Sequence, residues 1–226
     1  MTEHSVIVPV RNGSRFIGEA LQSALSQLGP TDEVLVVDNG STDDTLAVVT
    51  SLADPRIAIH HQPTAGPSAA RNMGIAAARG RFISLLDHDD LWPEGRIAGL
   101  MSTLSANPDA PAAIGRMHVR FEPGVERLAL YTTFDGLITD VPFLGPYLFR
   151  AEAIAAVGSF NETMFYGEDI DFLLRARSTV GRPAVWDGDC FIYRRHETNM
   201  THDRKSMSHG ALSVLAQHLA RKRRGE

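Results

Sequence analysis

The sequence predicts an α/β fold with a doubly wound, mostly parallel mixed sheet flanked by helices. Short apolar or β-branched runs at residues 5–10, 33–37, 56–60 and 82–86 alternate with segments of helical periodicity. Strands that alternate with helices in this way form parallel sheets covered on both faces. The run at 82–86 is mostly apolar and is bounded by Gly80 and Pro93, as expected for an interior strand of such a sheet.

The helices between these strands are indicated by apolar residues at intervals of three and four. The first helix ends near Gly29-Pro30 and carries Phe16, Ile17, Ala20, Leu21, Ala24, Leu25 and Leu28. The second begins near Thr45, where Ser41-x-x-Asp44 resembles a capping box. A third helix runs from Ser68 towards Gly80, and a fourth follows Pro93.

Beyond residue 110 the composition changes, and strands are expected at residues 112–121 and 127–133, around the turn Pro123-Gly124. They form a hairpin or a mixed extension of the sheet. The loop at 134–146 is rich in Gly, Pro and aromatic residues, and such loops often shape the substrate pocket of α/β enzymes. A polar turn at 184–186 then precedes a strand at 191–193.

A single domain is expected over residues 1–205, followed by an amphipathic helix and a basic tail over residues 206–226. The helix is expected to pack on the domain, with a homo-oligomer or membrane interface as the alternatives. The tail, RKRR, is expected to be solvated, although contact with an anionic membrane surface stays open. Because the net charge is −5, no nucleic-acid partner is expected.

The single cysteine, Cys190, excludes an intramolecular disulfide and any cysteine-based zinc site. The first residues lack the basic start and the long apolar core of a signal peptide, and no apolar run is long enough to cross a bilayer. A cytoplasmic location is therefore expected.

Three carboxylates, Asp87, Asp89 and Asp90, follow the strand at 82–86 directly. Ligands of open α/β sheets bind just beyond the carboxyl ends of the strands. Carboxylates this close stay ionised together only when a cation, hydrogen-bond donors or water screen them. The Asp-x-Asp spacing therefore indicates a Mg²⁺ or Mn²⁺ site that faces substrate phosphates. The structural alternative is that these residues cap the helix after Pro93.

Two other chemistries use a similar spacing of carboxylates. A calcium loop of the EF-hand type needs an oxygen ligand at its fifth position, where this chain has Leu91, so it is excluded. A phosphohydrolase with an aspartyl-phosphate intermediate also places Asp-x-Asp after an apolar strand, and it stays as an alternative. The first strand lacks a following Gly-x-Gly-x-x-Gly or phosphate-loop lysine, which disfavours dinucleotide oxidoreductases and P-loop NTPases.

Four motifs occur in order along the first half of the chain: IVPVRNG, VLVVDNGSTDDT, AGPSAARNMGIAAARG and FISLLDHDDLW. Together they resemble a family-2 glycosyltransferase with the GT-A fold. The resemblance implies that residues 1–105 form the nucleotide-binding half of the domain and residues 106–205 the acceptor-side half. It also implies that Pro9 and Arg11 line the base pocket, that Asp38 accepts a hydrogen bond from the base, and that Arg71 lies near the nucleotide.

The same resemblance distributes roles among the clustered acids. It implies that Asp87 contacts the ribose and that Asp89 holds the metal on the diphosphate, with Asp90 as an alternate ligand. His88, which lies between them, is expected to point the other way and to pack, because side chains alternate along a strand.

A second motif, GEDIDF at residues 167–172, resembles the acceptor-side motif of the same family. The resemblance implies that Asp169 is the general base, with Glu168 and Asp171 as further candidates. The structural alternative is a helix start, where the helix dipole favours acids. Further on, His196 resembles a family histidine that approaches the metal or the diphosphate; Arg195 is a second candidate, and a surface histidine is the alternative.

The resemblance as a whole implies metal-dependent, inverting transfer of one sugar from a nucleotide diphosphate-sugar, with UDP favoured, to a hydroxyl of a glycan or small-molecule acceptor. The chain lacks the membrane helices and the Gln-x-x-Arg-Trp motif of the processive synthases in the family, which favours single transfers. Two more alternatives stay open: a nucleotide-sugar-binding relative without catalysis, and a sugar nucleotidyltransferase. The latter needs a Gly-rich loop where this chain has Val10-Arg11-Asn12.

Overall fold

The computed structural model describes residues 2–64, 66–138 and 142–199, together with Val214. The strands are β1 His4–Val10, β2 Glu33–Asp38, β3 Ile57–His61, β4 Phe82–Leu85, β5 Ala112–Phe121, β6 Tyr147–Arg150 and β7 Ala184–Arg195. The helices are α1 Ile17–Leu25, α2 Thr45–Ser51, α3 Pro67–Ala77, α4 Arg96–Ala106, α5 Ala129–Thr132, α6 Ala151–Val157 and α7 Glu168–Thr179. Apart from the helical, buried Val214, the C-terminal helix and basic tail expected over 206–226 lie outside the described residues.

The strands form one mixed sheet in the order β3-β2-β1-β4-β6-β5-β7. Four of the six neighbouring pairs are parallel, and β6 runs antiparallel to both β4 and β5. This arrangement confirms the predicted α/β class with a mostly parallel mixed sheet. Among the described residues, no helix combines the length and apolar character needed to cross a membrane.

The core lies around β1 and β2, where every residue is buried. Their Val, Ile and Leu side chains suit a pleated surface covered on both faces, and each fully buried one contributes about 1.5–3 kcal/mol. Helix α3 packs closely on β1 because Gly74 has no side chain: a Cβ there would lie 2.3 Å from the Ile7 side chain.

The parallel register brings three strand ends to one edge of the sheet. Val10 at the end of β1 is paired with Asp38 at the end of β2, and β4 lies on the other side of β1. The loops that follow these strands therefore converge, which is where open α/β sheets place their ligands.

The sequence prediction for the first four strands and helices agrees with the structure, except for the cap of α2. Ser41 and Asp44 make no capping box: the Ser41 hydroxyl accepts the Asn12 backbone N–H instead, at 3.0 Å. The cap is provided by Asp43, whose carboxylate accepts the backbone N–H of Thr45 at 3.1 Å. The predicted start of α2 is therefore confirmed, and the predicted capping box is wrong.

The predicted strand at residues 127–133 is wrong, because the chain there forms the short helix α5. A hairpin has no free edge to form on, since β5 is paired with β6 on one side and with β7 on the other. No pattern in the sequence had predicted β6 or α6.

The predicted polar turn at residues 184–186 is also wrong, because these residues begin the long strand β7. Ala184 pairs with Ala113 of β5, and the Trp186 ring lies where Cβ atoms on Gly99, Gly115 and Gly188 would stand. A bulky indole packed against three glycines holds this segment in the sheet, a contact that local polarity does not reveal.

Candidate active site

A cavity of about 790 Å³ opens at the carboxyl ends of the parallel strands, in the position expected of a ligand site. Nine residues singled out from the sequence line it: Pro9, Arg11, Arg71, Asp87, His88, Asp89, Glu168, Asp169 and His196. The Gly- and Pro-rich loop predicted to shape the pocket contributes Phe134, Pro142 and Phe143. The cavity therefore joins the two motif regions of the sequence.

The loops after β1 and β2 are bonded to each other and form the floor of the cavity. Asn12, held at a φ of 54°, accepts the Thr42 backbone N–H through its side chain at 2.8 Å. The Gly13 N–H donates to the Thr45 hydroxyl at 2.8 Å. A Cβ on Gly13 would lie 2.4 Å from the His88 ring, so only glycine fits at this approach. His88 packs on this loop and also lines the cavity, although it was expected to point away.

Asp38 lies beside this floor and does not line the cavity. Its carboxylate is buried, accepts the Ser41 N–H at 3.0 Å and lies 3.4 Å from His61 Nδ1. Burial alone would raise the pKa of Asp38, but the hydrogen bonds from Ser41 and His61 outweigh it and lower the pKa. The neighbouring Asn39 lines the cavity, and sequence reasoning did not select it.

The three acids after β4 point to three different partners. Asp87 accepts a hydrogen bond from Arg71 Nη2 at 3.0 Å, and Asp89 Oδ2 lies 2.9 Å from His196 Nε2. Asp90 is buried away from the cavity and accepts the Arg194 backbone N–H at 2.8 Å. The cluster therefore divides into two acids that line the cavity and one that joins this loop to β7.

The pair of Asp89 and His196 is supported by a shell of further contacts. Asn199 donates to Asp89 Oδ2 at 3.2 Å, and the Phe16 ring lies 4.3 Å from the His196 ring. Burial would raise the pKa of Asp89, but His88 and the hydrogen bond to His196 outweigh it and lower the pKa to about 2. Asp89 is therefore ionised at neutral pH. Asn199 and Phe16 were missed because neither belongs to an acidic motif.

The donor set of this pair fits a divalent cation. A carboxylate and an imidazole facing a cavity are ligands that Mn²⁺ accepts, and Mg²⁺ and Mn²⁺ commonly complete their shells with substrate phosphates and water. The Thr198 backbone N–H donates to His196 Nδ1 at 3.3 Å, so the neutral imidazole carries its proton on Nε2 and donates it to Asp89 Oδ2 at 2.9 Å. A metal bound by this pair would take the place of that proton. In the described part of the chain no group of three or more His, Cys, Asp or Glu side chains can hold a metal, so Asp89 and His196 would need ligands from the substrate.

Arg71 joins the two motif regions at the centre of the site. Its guanidinium is buried; Nη1 donates to Glu168 at 2.8 Å and lies 3.2 Å from Asp169 Oδ1, while Nη2 donates to Asp87 at 3.0 Å. Burial alone would lower the pKa of Arg71, yet the three carboxylates raise it above its usual range. One permanent cation is thus shared by three acids.

Asp169 lies in the first turn of α7, which begins after Gly167 at a φ of 81°. Burial, the largest cause, raises the pKa of Asp169 to about 8; Glu168 and Asp87 act in the same direction, whereas Arg71 and a backbone hydrogen bond with Leu144 oppose it. A carboxyl with such a pKa is able to exchange a proton near neutral pH.

Two further candidates, Asp171 of the acceptor-side motif and Arg195 beside His196, do not line the cavity. Asp171 is buried and forms an ion pair with Arg175 at 2.9 Å within α7, so it does not face the cavity. Arg195 is also buried, with its guanidinium 4.0 Å from the centre of the Tyr131 ring. Tyr131, Phe134, Phe143 and Tyr193 form an aromatic wall on this side. Phe134 and Phe143 belong to the loop that was expected to shape the pocket, whereas Tyr131 and Tyr193 were not selected from the sequence.

The fold and the site define a GT-A type of protein: a mixed α/β sheet with an acid-lined cavity at its strand ends. The model of the family described as "Glycosyl transferase family 2" matches residues 5–152. The chain belongs to glycosyl transferase family 2, as the sequence motifs had implied.

Curated relatives extend the similarity beyond the residues that the family model matches. The chain is 33% identical to the succinoglycan biosynthesis protein ExoO of Rhizobium meliloti over 213 residues, which is 86% of this chain and 61% of that protein. It is 31% identical to the succinoglycan biosynthesis protein ExoU of the same organism over 202 residues, 80% of this chain and 58% of that protein. The chain thus spans less than two thirds of the length of these relatives.

Solved structures share the fold. S. aureus TarS 1-349 in complex with UDP-GlcNAc matches with a TM-score of 0.74 at 22% identity, over 89% of this chain and 61% of that chain. The mannosyltransferase PcManGT from Pyrobaculum calidifontis, in complex with GDP-Man and Mn²⁺, matches with a TM-score of 0.74 at 21% identity, over 96% of this chain and 64% of that chain.

Proposed function

We propose that this chain transfers a single sugar from a nucleotide diphosphate-sugar to a hydroxyl of a glycan or small-molecule acceptor, with inversion and with a divalent metal. One observation carries the proposal: a single cavity contains the Asp89 and His196 pair on one side and the Asp169 carboxylate on another. Metal binding and proton abstraction need separate carboxylates, because a metal-bound carboxylate is a poor base.

The donor is proposed to bind over the floor formed by the loops after β1 and β2. Pro9, Arg11 and Asn39 line this part of the cavity and are available to the base. Asp38 is buried beside the floor and does not line the cavity, so its role in accepting a hydrogen bond from the nucleotide base stays a prediction. Related folds bind UDP-GlcNAc and GDP-Man, which supports a nucleotide-sugar without choosing the nucleotide; UDP remains our preference.

The diphosphate is proposed to lie beside Asp89 and His196. Mn²⁺ or Mg²⁺ bound by these residues would neutralise the negative charge that grows on the departing nucleoside diphosphate. The chain itself contributes an ionised carboxylate held in place by His196 and Asn199, so little reorganisation is needed when the phosphates arrive.

On the acceptor side, Asp169 is proposed to act as the general base. As the acceptor oxygen attacks the anomeric carbon, its proton passes to the Asp169 carboxylate and the bond from that carbon to the diphosphate breaks. Attack from the face opposite the leaving group inverts the anomeric configuration. Glu168 faces the same cavity and holds Arg71, so we assign it to positioning the base rather than to proton transfer.

The proposal is tested by titration calorimetry of UDP, GDP and dTDP, each with and without Mn²⁺. The wild-type chain is compared with Asp89→Ala and with Asp109→Ala, which removes an exposed carboxylate that does not line the cavity. We expect one nucleotide to bind in a metal-dependent way, with at least about a tenfold loss, or about 1.4 kcal/mol, in Asp89→Ala only. Absence of binding by every nucleotide contradicts the proposal, as does equal binding by Asp89→Ala.

A further inference from the structure

Arg71 connects the donor side of the cavity to the proposed base through direct contacts. Its Nη2 is bonded to Asp87, two positions from the proposed metal ligand Asp89, while its Nη1 faces both Glu168 and Asp169. The Arg71 side chain is 5% exposed, and the Glu168 and Asp169 side chains are 12% and 18% exposed, so water screens these contacts weakly. Asp87, at 42%, is the member of the cluster that is open to the cavity. A change of charge beside Asp87 is therefore felt by Asp169 through one rigid planar group.

The charges in this cluster do not balance when all three acids are ionised. One guanidinium then faces three carboxylates, two of which, Glu168 and Asp169, are mostly shielded from water. A surplus of negative charge there is costly unless one acid keeps a proton. Glu168 and Asp87 each accept a hydrogen bond from Arg71, whereas Asp169 Oδ1 is buried without a hydrogen-bond partner in the described part of the chain. Asp169 is thus the member that keeps the proton.

We propose that Arg71 makes the loss of the Asp169 proton depend on occupation of the donor side, so that the base becomes active only after the nucleotide and its metal have bound. This inference rests on the proposed function. The metal ion, which the proposed function places at Asp89, brings positive charge close to Asp87 and so weakens the hold of Asp87 on the guanidinium. More of the Arg71 charge then stabilises the Asp169 carboxylate.

The groups that face Asp169 come from four parts of the fold. They are Arg71 of α3, Asp87 after β4, the backbone of Leu144 before β6, and Glu168 on its own helix. The proton balance follows directly. Asp169 releases one proton to solvent when the nucleotide and metal bind, and later takes one proton from the acceptor hydroxyl. The donor then precedes the acceptor in the order of productive binding.

Proton release on binding is measured by calorimetry in two buffers of different ionisation enthalpy, with Mn²⁺ and whichever of UDP, GDP or dTDP binds. At pH 7 we expect wild type to release about one proton more per bound nucleotide than Asp169→Asn, because a carboxyl with a pKa of about 8 is mostly protonated there. Asp109→Asn serves as the control and is expected to match wild type.

Two further readouts separate this role from a purely structural one. Arg71→Lys keeps the charge but cannot bridge both sides, so we expect its release to fall towards that of Asp169→Asn. The excess release in wild type is also expected to disappear as the pH rises above 9, because Asp169 is then ionised before binding.

Equal release by wild type and Asp169→Asn at pH 7 overturns the inference, whatever Arg71→Lys does. If nucleotide binds with equal release, the proposed function stands and only the coupling fails. If none of the three nucleotides binds, the proposed function fails first and the coupling fails with it. The measurement needs no acceptor, so it does not depend on knowing the full reaction.

Discussion

The Asp90 carboxylate accepts the backbone N–H of Arg194 at 2.8 Å and so joins the loop after β4 to the end of β7. The two residues are 104 positions apart. Leu91 and Ile192 add an antiparallel bridge at the same junction, and the Arg194 guanidinium reaches Glu19 of α1 at 2.5 Å. The side of the cavity that holds Asp89, the proposed metal ligand, is thereby fixed to the strand that leads to His196.

This junction predicts that Asp90 acts on stability and not on metal binding. Asp90→Ala leaves a buried N–H without its acceptor, which costs about 1–3 kcal/mol, or a fall in Tm of about 2–4 °C for each kcal/mol. Asp90→Asn keeps an acceptor oxygen, and burial together with Asp89 and Asp87 raises the pKa of Asp90 so that a neutral side chain suits the site. We therefore expect Asp90→Asn to unfold close to wild type.

Thermal unfolding of the two variants at pH 7 checks this prediction. An equal loss of stability in Asp90→Asn and Asp90→Ala contradicts it, because the oxygen acceptor would then make no difference. Loss of metal-dependent nucleotide binding in a stable Asp90→Asn would instead restore Asp90 as a metal ligand.

The raised pKa of Asp169 predicts a site that lowers the stability of the fold at alkaline pH. The folded form of Asp169 binds its proton up to a pKa of about 8, whereas the unfolded form loses it near the ordinary value of 3.8. Between these values the folded state holds more protons, so this group makes the free energy of unfolding fall as the pH rises. Asp169→Asn removes the ionisable group and is expected to raise Tm at pH 8 by about 2–4 °C.

The same comparison at pH 4 provides the internal control. In the folded state Asp169 keeps its proton at both pH 4 and pH 6, whereas in the unfolded state it loses that proton above the ordinary pKa of 3.8. The gain in stability from Asp169→Asn should therefore shrink steadily as the pH is lowered towards 4. Scanning calorimetry at pH 4, 6 and 8 measures the trend. A gain that is constant with pH, or that is largest at pH 4, contradicts the assignment.

Asp32 gives the opposite pH dependence at the other end of the sheet. Burial would raise its pKa, but the backbone N–H groups of His4 and Gly29, at 3.0 and 2.8 Å, outweigh burial and lower it. The stability that Asp32 contributes is present above the ordinary pKa of 3.8 and is lost as the pH falls through the lower folded pKa. Asp32→Asn should therefore destabilise the fold at pH 7 by about 1–3 kcal/mol and less at pH 3.

Urea unfolding at the two pH values measures this difference, with Asp109→Asn as the exposed control. An equal effect of Asp32→Asn at pH 3 and pH 7 would show that its carboxylate charge is unimportant for the turn before β2.

Two glycines near the end of β1 and the start of α1, Gly13 and Gly18, provide a test substitution and its control for the floor of the proposed donor site. Gly13→Ala places a Cβ 2.4 Å from the His88 ring and 2.7 Å from the Val10 side chain, so the loop must move. Gly18→Ala, inside α1, meets only Val48 at 3.4 Å and gains helix propensity of up to about 1 kcal/mol. We expect Gly13→Ala to weaken nucleotide binding about tenfold and Gly18→Ala to leave it unchanged.

Calorimetric affinity for the nucleotide, together with Tm, checks both substitutions. Unchanged affinity in Gly13→Ala would mean that this loop does not contact the nucleotide, and the donor would then have to be placed elsewhere in the cavity.

The first half of the fold could be predicted from the sequence because each of its strands and helices is determined by residues next to one another in the chain. Each strand from β1 to β4 is an apolar run followed by a helix of clear periodicity, and parallel pairing then fixes the sheet. The second half depends on distant partners. The start of β7 contains the polar run Asp187-Gly188-Asp189, which favours a turn, yet Trp186 beside it packs on Gly99 and Gly115, more than seventy positions earlier.

The residues of the site divide in the same way into those that local sequence predicts and those that it does not. Asp89 and Asp169 belong to short acidic motifs that predict a chemical role, and both line the same cavity. The different partners of Asp87, Asp89 and Asp90 could not be predicted, because each partner belongs to another element of the fold. Asn199 was missed for the same reason, since its contact with Asp89 spans 110 positions.

Inverting transfer with Asp169 as the base determines which anomer forms first when the chain slowly hydrolyses its donor. Proton NMR follows the anomeric signals of UDP-α-glucose, UDP-α-N-acetylglucosamine and GDP-α-mannose with Mn²⁺, for wild type and Asp169→Asn. We expect the β-anomer of the sugar to appear first and Asp169→Asn to slow its formation at least about a hundredfold. Release of the α-anomer first, or an unchanged rate in Asp169→Asn, would contradict it.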